Sequence, residues 1–183
     1  IKFKVSNNIN DIENSESLIL PGVGSFKTGM KNLNKLNLIE PIKNHFIKKK
    51  KILGICLGMQ LLLDESEEFG FSKGLGLIEG GIKKLPKLSK LGKQNLIPNI
   101  TWSKIEKNKS FENTYILNEV SNESFFYFVH SFYAEVKKEQ NIIAFSQFSD
   151  FKFPSIINEN NVLGTQFHLE KSGNAGIQIL NNF

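Results

Sequence analysis

The sequence predicts an α/β fold, with a mostly parallel central sheet and crossover helices, extended by an antiparallel strand region. Three observations lead there. In the first half, short apolar runs alternate with segments of helical spacing, the pattern of a parallel sheet whose strands are joined by helices. In the second half, strand-like segments follow one another, the last two separated by a hairpin turn. The chain has 183 residues, 40% hydrophobic and 22% charged, which suits one domain with a sizeable core.

The elements follow in order. Ser17–Leu20 is a short apolar run stopped by Pro21, read as a buried strand. Pro21-Gly22-Val23-Gly24-Ser25 is a Gly-rich turn. From Phe26 to Phe46 the apolar residues Met30, Leu33, Leu36, Ile39, Ile42 and Phe46 keep helical spacing, and Pro41 marks the start of a second helix. Lys48–Lys51 is expected as a solvated helix end, where cations suit the dipole. Ile52–Ile55 is the next strand, Gly58–Leu63 a helix, and Asp64–Glu68 a polar exit. Lys83–Asn95 is expected to be a solvated, Lys-rich connection. Phe125–Tyr133, Ile142–Phe148, Ser155–Ile157 and Val162–Phe167 are strand-like, with a turn at Glu159-Asn160-Asn161. Ser172–Phe183 closes the chain as a helix.

Composition excludes several classes. The apolar runs fall far short of the roughly 20 residues of a membrane span. The first residues lack the charged and apolar regions of a signal peptide. All 23 basic residues are Lys, and against 18 acids they leave a net charge of +5. Arg is the residue suited to bidentate phosphate and base recognition, so the basic balance is read as Lys and Asn enrichment, and nucleic acid is not expected as a partner. The single cysteine, Cys56, cannot form an intrachain disulfide, which points to a reducing cytoplasm.

Chemistry concentrates around that cysteine. Gly54-Ile55-Cys56-Leu57-Gly58 lies between a strand and a helix, a nucleophile-elbow pattern with Cys in place of Ser. Flanking glycines permit the sharp turn, and a helix N-terminus favours thiolate. Read alone, the pentapeptide also fits a buried structural Cys. Of the three histidines, His45 sits in a Lys-rich helix and is expected at the surface. His130 lies in an aromatic strand, as a core or site-lining group. His168 is followed at i+2 by Glu170, which extended backbone would place on the same side. Cys56, His168 and Glu170 thus supply nucleophile, base and orienter. The Leu57 N–H and a donor from the Pro21–Gly24 turn are candidates for an oxyanion hole.

Three segments then resemble class I (triad) glutamine amidotransferases: Pro21–Phe26, Gly54–Gln60 and Gly164–Ser172. Gly74–Gly80 and Phe126–Tyr133 are most similar to the glutaminase subunits of imidazole glycerol phosphate synthases. The resemblance runs from about Leu18 to the C-terminus. It implies a flavodoxin-like, three-layer fold and a glutaminase. In it Cys56 attacks the glutamine amide, His168 relays protons, and Glu170 orients the ring. Gly24 joins Leu57 as oxyanion donor, with Gly24 movable. Gly22, Gly58, Gln60, His130, Ser131 and Phe132 hold the glutamine. Trp102 and Lys171 face the partner, a (β/α)8-barrel cyclase that receives the ammonia as a heterodimer partner. No metal or cofactor is implied.

The chain departs from the family pattern at Pro98-Asn99-Ile100-Thr101-Trp102-Ser103, where Pro-His-Met-Gly-Trp-Asn is usual, and at Leu169, where Pro is usual. These departures leave two alternatives open: an ammonia supplier to another synthetase, such as a surface-sugar amidotransferase, or a silent regulatory subunit. A stand-alone hydrolase would need no partner. A family member is also expected to carry a strand and helix, roughly 20–25 residues with an Asp-Tyr-Gly-x-Gly-Asn type motif, before the segment at Ile1. Residues 1–183 therefore read as one domain lacking its first strand–helix unit.

Overall fold

The computed structural model describes residues 3–111 and 114–183. The first half holds α1 (Ile9–Asn14), β1 (Ser17–Leu20), α2 (Phe26–Lys35), α3 (Ile39–Ile47), β2 (Lys51–Ile55), α4 (Leu57–Leu61), β3 (Leu63–Ser66), β4 (Ser72–Lys73) and β5 (Ile78–Lys84). The second half holds β6 (Asn99–Ser103), β7 (Glu106–Lys107), β8 (Phe126–His130), β9 (Phe132–Val136), β10 (Ile142–Phe148), β11 (Phe151–Glu159), β12 (Val162–Thr165) and α5 (Gly173–Asn182).

The central sheet has the order β1-β2-β12-β11-β10-β7. β1, β2 and β12 run parallel, and β12, β11, β10 and β7 alternate antiparallel. This is the α/β arrangement the sequence predicts, a parallel part joined to an antiparallel extension. β2 is buried from Ile52 to Ile55 and β12 throughout, as expected for strands covered on both faces. Alternate residues feed two cores. Ile52 and Val162 pack under α2 and α3 with Leu33 and Ile42, whereas Leu53 and Leu163 pack on the other side with Phe128, Phe153, Phe167 and Ile179. That alternation produces three layers. A second sheet, β4-β3-β5-β9, and a β6–β8 ribbon complete the fold. Among the described residues, no helix is long and apolar enough to cross a membrane.

Several expectations shift. The long helical segment breaks at Leu36–Leu38, where Asn37 takes φ 55°, and Pro41 lies inside the first turn of α3, where a missing N–H costs nothing. Lys50 is no solvated helix end: its Nζ donates to the Glu13 and Ser15 carbonyls at 2.9 and 2.8 Å, tying down the end of α1. Asp64–Ser66 belongs to β3, parallel to β5, so three of that strand's four residues come from the polar exit, with Asp64 and Glu65 exposed. Lys83 and Lys84 end β5, and the rest of the Lys-rich connection folds back on itself through Leu88 opposite Gln94 and a Ser89 N–H bond to the Lys93 carbonyl. Phe125–Tyr133 is two strands that part at Ser131 and enter different sheets.

His45 also departs from expectation. It is 1% exposed on the sheet-facing side of α3, and its Nε2 has no partner among the described residues. Its three-residue offset from Ile42 places it on the helix's buried stripe, which outweighs its Lys neighbours. Burial, with Lys50 and Lys48 nearby, pushes its pKa from 6.5 down to about 4. The folded state therefore keeps the ring neutral while the unfolded chain protonates it below about 6.5. This group's contribution to stability is present above that value and is lost as pH falls toward 4. His45→Leu removes both the proton linkage and the unpartnered nitrogen. Melting curves should show Tm raised by about 3–6 °C at pH 8 and by more at pH 5.

Candidate active site

The parallel strands place the site. β2 and β12 are neighbours in register, with Ile55 opposite Thr165, so the chain leaves both at the same sheet edge. Ligands of α/β folds bind outside such carboxyl ends. Cys56 follows β2 directly, and His168 lies three residues beyond β12.

Cys56 turns the chain sharply from β2 into α4 with φ 53° and ψ −109°, a strained backbone for a non-Gly residue, costing about 1–3 kcal/mol. Its N–H donates to the Thr165 carbonyl at 2.7 Å, and its carbonyl accepts from the Gln60 N–H at 3.2 Å. A Cβ on Gly58 would lie 1.7 Å from the Leu20 carbonyl oxygen, and one on Gly54 would lie 2.6 Å from the Met59 nitrogen. The elbow closes because neither residue has a side chain.

The thiol is 6% exposed. Its Sγ lies 3.9 Å from the Val129 carbonyl, to which it can donate, and 3.8 Å from Gln166 Nε2, from which it accepts. Burial pushes its pKa from 9.0 up to about 11; the Leu57 N–H opposes this, Glu170 adds to it, and Gln166 and Lys171 oppose it. The expectation of a thiolate at a helix N-terminus is thus reversed in the free protein. α4 has only five residues, and desolvation outweighs so short a dipole.

His168 heads a 3-10 turn, Leu169–Lys171, rather than extended backbone. The turn still brings Glu170 Oε1 to 2.7 Å from His168 Nδ1. The His168 N–H donates to the Tyr127 carbonyl at 3.0 Å, and its carbonyl accepts from Ser172 Oγ at 2.5 Å. With Nδ1–H directed at the carboxylate, Nε2 keeps its lone pair. That nitrogen is buried and has no hydrogen-bond partner among the described residues.

Both groups open on one cavity of about 320 Å³. Gly24, Leu57, Gln60, His130, Ser131 and Phe132 line it, as do Val23, Glu68, Pro98 and Val129. Gly24 has φ 104°, with open space where a side chain would be. The Glu68 carboxylate accepts the Phe26 N–H at 2.6 Å. His130 sits between the Phe132 carbonyl, 2.9 Å from Nδ1, and Asn99 Nδ2, 3.0 Å from Nε2. Burial pushes its pKa from 6.5 down to about 4, against the bond to Phe132 and with His168 nearby. His130 is therefore a neutral ring, with Nδ1–H donating and Nε2 accepting.

Against known proteins, the family profile described as "Glutamine amidotransferase class-I" matches residues 1–183. The chain belongs to the class-I glutamine amidotransferases. It is 42% identical over 182 residues to the imidazole glycerol phosphate synthase subunit HisH of Prochlorococcus marinus, covering 99% of this chain and 81% of that protein. It is 39% identical over 183 residues to the HisH of Chlorobium chlorochromatii, covering 100% of this chain and 87% of that protein. A glutamine amidotransferase crystal structure shares the fold at TM-score 0.68 and 18% identity, covering 100% of this chain and 86% of that chain. PurLQS from Thermotoga maritima does so at TM-score 0.61 and 20% identity, covering 91% and 77%.

The remaining residues singled out from the amidotransferase motifs fall outside the cavity wall. Gly22 packs against Leu57, where an added Cβ would be 3.1 Å from the Leu57 Cβ, and Gly58 packs against β1. Trp102 and Lys171 flank Tyr127 on the outside: the Trp102 and Tyr127 rings are 5.6 Å apart, and Lys171 Nζ stands 5.5 Å from the Tyr127 centroid. Asn99, where the chain departs from the usual pattern, keeps a side-chain bond to His130. Glu68 and Gln166 were not singled out. Glu68 carried no signal beyond a run of acids, whereas Gln166 lies inside a quoted motif. Gly58→Ala should cost about 3 kcal/mol or more, because only backbone can yield to the new methyl; chemical denaturation of the purified variant measures it.

Proposed function

We propose that this amidotransferase chain hydrolyses L-glutamine to glutamate and ammonia. We also propose that it does so as the glutaminase subunit of an imidazole glycerol phosphate synthase, passing ammonia to a (β/α)8-barrel cyclase partner. One observation carries the chemistry. Cys56 and His168 line one cavity, Glu170 holds the His168 ring at Nδ1, and Nε2 has no hydrogen-bond partner among the described residues. The 42% and 39% identity to HisH proteins carries the assignment to that synthase. The single cysteine fits a reducing cytoplasm.

The residues divide the work as follows. Glu68 pairs with the substrate's α-ammonium group, and the peptides at Ser131 and Phe132 receive its α-carboxylate. Cys56 Sγ attacks the side-chain amide carbon as His168 Nε2 takes the thiol proton, and Glu170 stabilises the imidazolium. The Leu57 N–H, joined by the Gly24 N–H once that turn rotates, receives the oxyanion. The imidazolium returns its proton to the departing nitrogen, ammonia leaves, and a thioester remains. Water deprotonated by Nε2 attacks the thioester, releasing glutamate and restoring the thiol.

In the free chain, Sγ is hydrogen-bonded to Val129 and Gln166, while His168 Nε2 has no hydrogen-bond partner among the described residues. Partner docking beside Trp102, Tyr127 and Lys171 would act on the strand that also carries Val129. The free chain should therefore be nearly idle. Glutamate release, assayed with and without the cyclase, should rise at least ~10-fold when the partner is added. Cys56→Ala should lower the stimulated rate ~1000-fold or more. Absence of glutamate from the complete complex would refute the glutaminase reading.

A further inference from the structure

Gln166 has no part in the mechanism above, yet it is fully buried between β12 and His168 and its side chain reaches the nucleophile. The orientation of its amide is dictated by a chain of contacts. The Phe132 carbonyl can only accept, so Gln60 presents Nε2 to it at 3.1 Å. The second hydrogen of that nitrogen meets Gln166 at 3.1 Å, so Gln166 presents Oε1 there. Its own Nε2–H is left to face Cys56 Sγ at 3.8 Å. The Phe132 carbonyl is held a second time by His130 Nδ1.

We propose that Gln166 is a positioning residue for the reaction: it holds Cys56 Sγ by an N–H···S bond and, through Gln60, joins the nucleophile to the peptide at Phe132 that lines the substrate cavity. Its kinetic consequence rests on the glutaminase reading; its contact with sulfur does not.

The chemistry of the contact is directional. A neutral thiol gains little from an N–H donor, whereas a thiolate gains a charge-assisted bond. In a site where burial works against the charged form, this donor and the Leu57 N–H favour the state that attacks. The amide linkage has a second effect. A shift of the Phe132 peptide as substrate binds moves Gln60, and Gln166 with it, so the donor's alignment on sulfur depends on cavity occupancy. A residue that merely filled space would leave the acidity of the thiol unchanged.

The chain's one cysteine makes this measurable, because iodoacetamide alkylation followed by mass spectrometry reads Cys56 alone. Wild type, Gln166→Met and Gln166→Asn are compared across pH, with melting curves for each. Met removes the donor at similar volume. Asn keeps an amide but withdraws it from sulfur by one methylene, and it decides the matter if the Met variant does not fold. The expected result is an alkylation midpoint raised by about one pH unit, with rates below it reduced about tenfold. With the cyclase present, kcat for glutamate release should fall about tenfold while KM stays within about threefold. An unmoved midpoint in a folded variant overturns the proposal, whether or not the rate falls. A moved midpoint in a protein that releases no glutamate in any complex refutes the glutaminase reading and leaves the Gln166–sulfur contact standing.

Discussion

The structure depends on the close approach of α4 to the parallel strands. The helix begins one residue after Cys56 and folds back so tightly that its second residue, Gly58, meets the β1 backbone at Leu20. Met59 sits over the place where two glycines pair across β2 and β12, Gly54 opposite Gly164; a Cβ on Gly164 would lie 2.4 Å from Met59 Cγ. Three positions without side chains therefore admit one short helix. Cys56 takes up the geometric mismatch with its φ of 53°. The strain is held by the bond from Cys56 to Thr165 and by the full burial of Met59 and Leu62 around it. A nucleophile in a less constrained turn would have other rotamers and other neighbours.

That constraint also sets the electrostatics. Seating α4 on the sheet buries the thiol, and burial penalises the thiolate more than five helical residues favour it. Burial also keeps His130 neutral, so it can lock the Phe132 carbonyl with one nitrogen and accept from Asn99 with the other. His168 differs because Glu170, largely exposed, stands against its Nδ1. The site thus combines a thiol and an imidazole that burial keeps neutral with a second imidazole held at Nδ1 by a carboxylate.

How much of this was readable in the sequence varies with the range of the interactions involved. β1 and β10 coincide with their apolar runs, and β2 differs by one residue, because buried strands leave continuous hydrophobic signals. The elbow was legible in five residues, since a strand, two glycines and a helix admit few backbones. Glu170 was paired with His168 correctly, but by a 3-10 turn and not by the extended alternation first invoked. β3 was hidden because Asp64 and Glu65 face water and four residues are too few for a period. The break at Ser131 was hidden because aromatic residues continue on both sides of it. His45 was misjudged by its Lys neighbours in sequence, when its position relative to Ile42 decided its burial. The close packing of Gly22 and Gly58 against the elbow was not legible, because it is a matter of distances between segments.

β8 brings these threads together. Its outer face carries Tyr127, which stacks beside Trp102 and Lys171. The Tyr127 backbone also accepts the His168 N–H and donates to Ser172 Oγ, which in turn holds the His168 carbonyl. Two residues on, the Val129 carbonyl faces Cys56 Sγ, and the next residue, His130, pins the Phe132 peptide at the cavity wall. One strand of five residues therefore touches His168, Cys56 and the cavity wall, and it carries the half-buried Tyr127 on its outer side. Its strand partner is β6, which carries the half-exposed Trp102; Tyr127 also bridges His168, and β8 lies outside the central sheet. The elbow fixes where the sulfur sits, and the carbonyls of this one strand meet both the sulfur and the backbone of the base, so any displacement of β8 reaches both groups together.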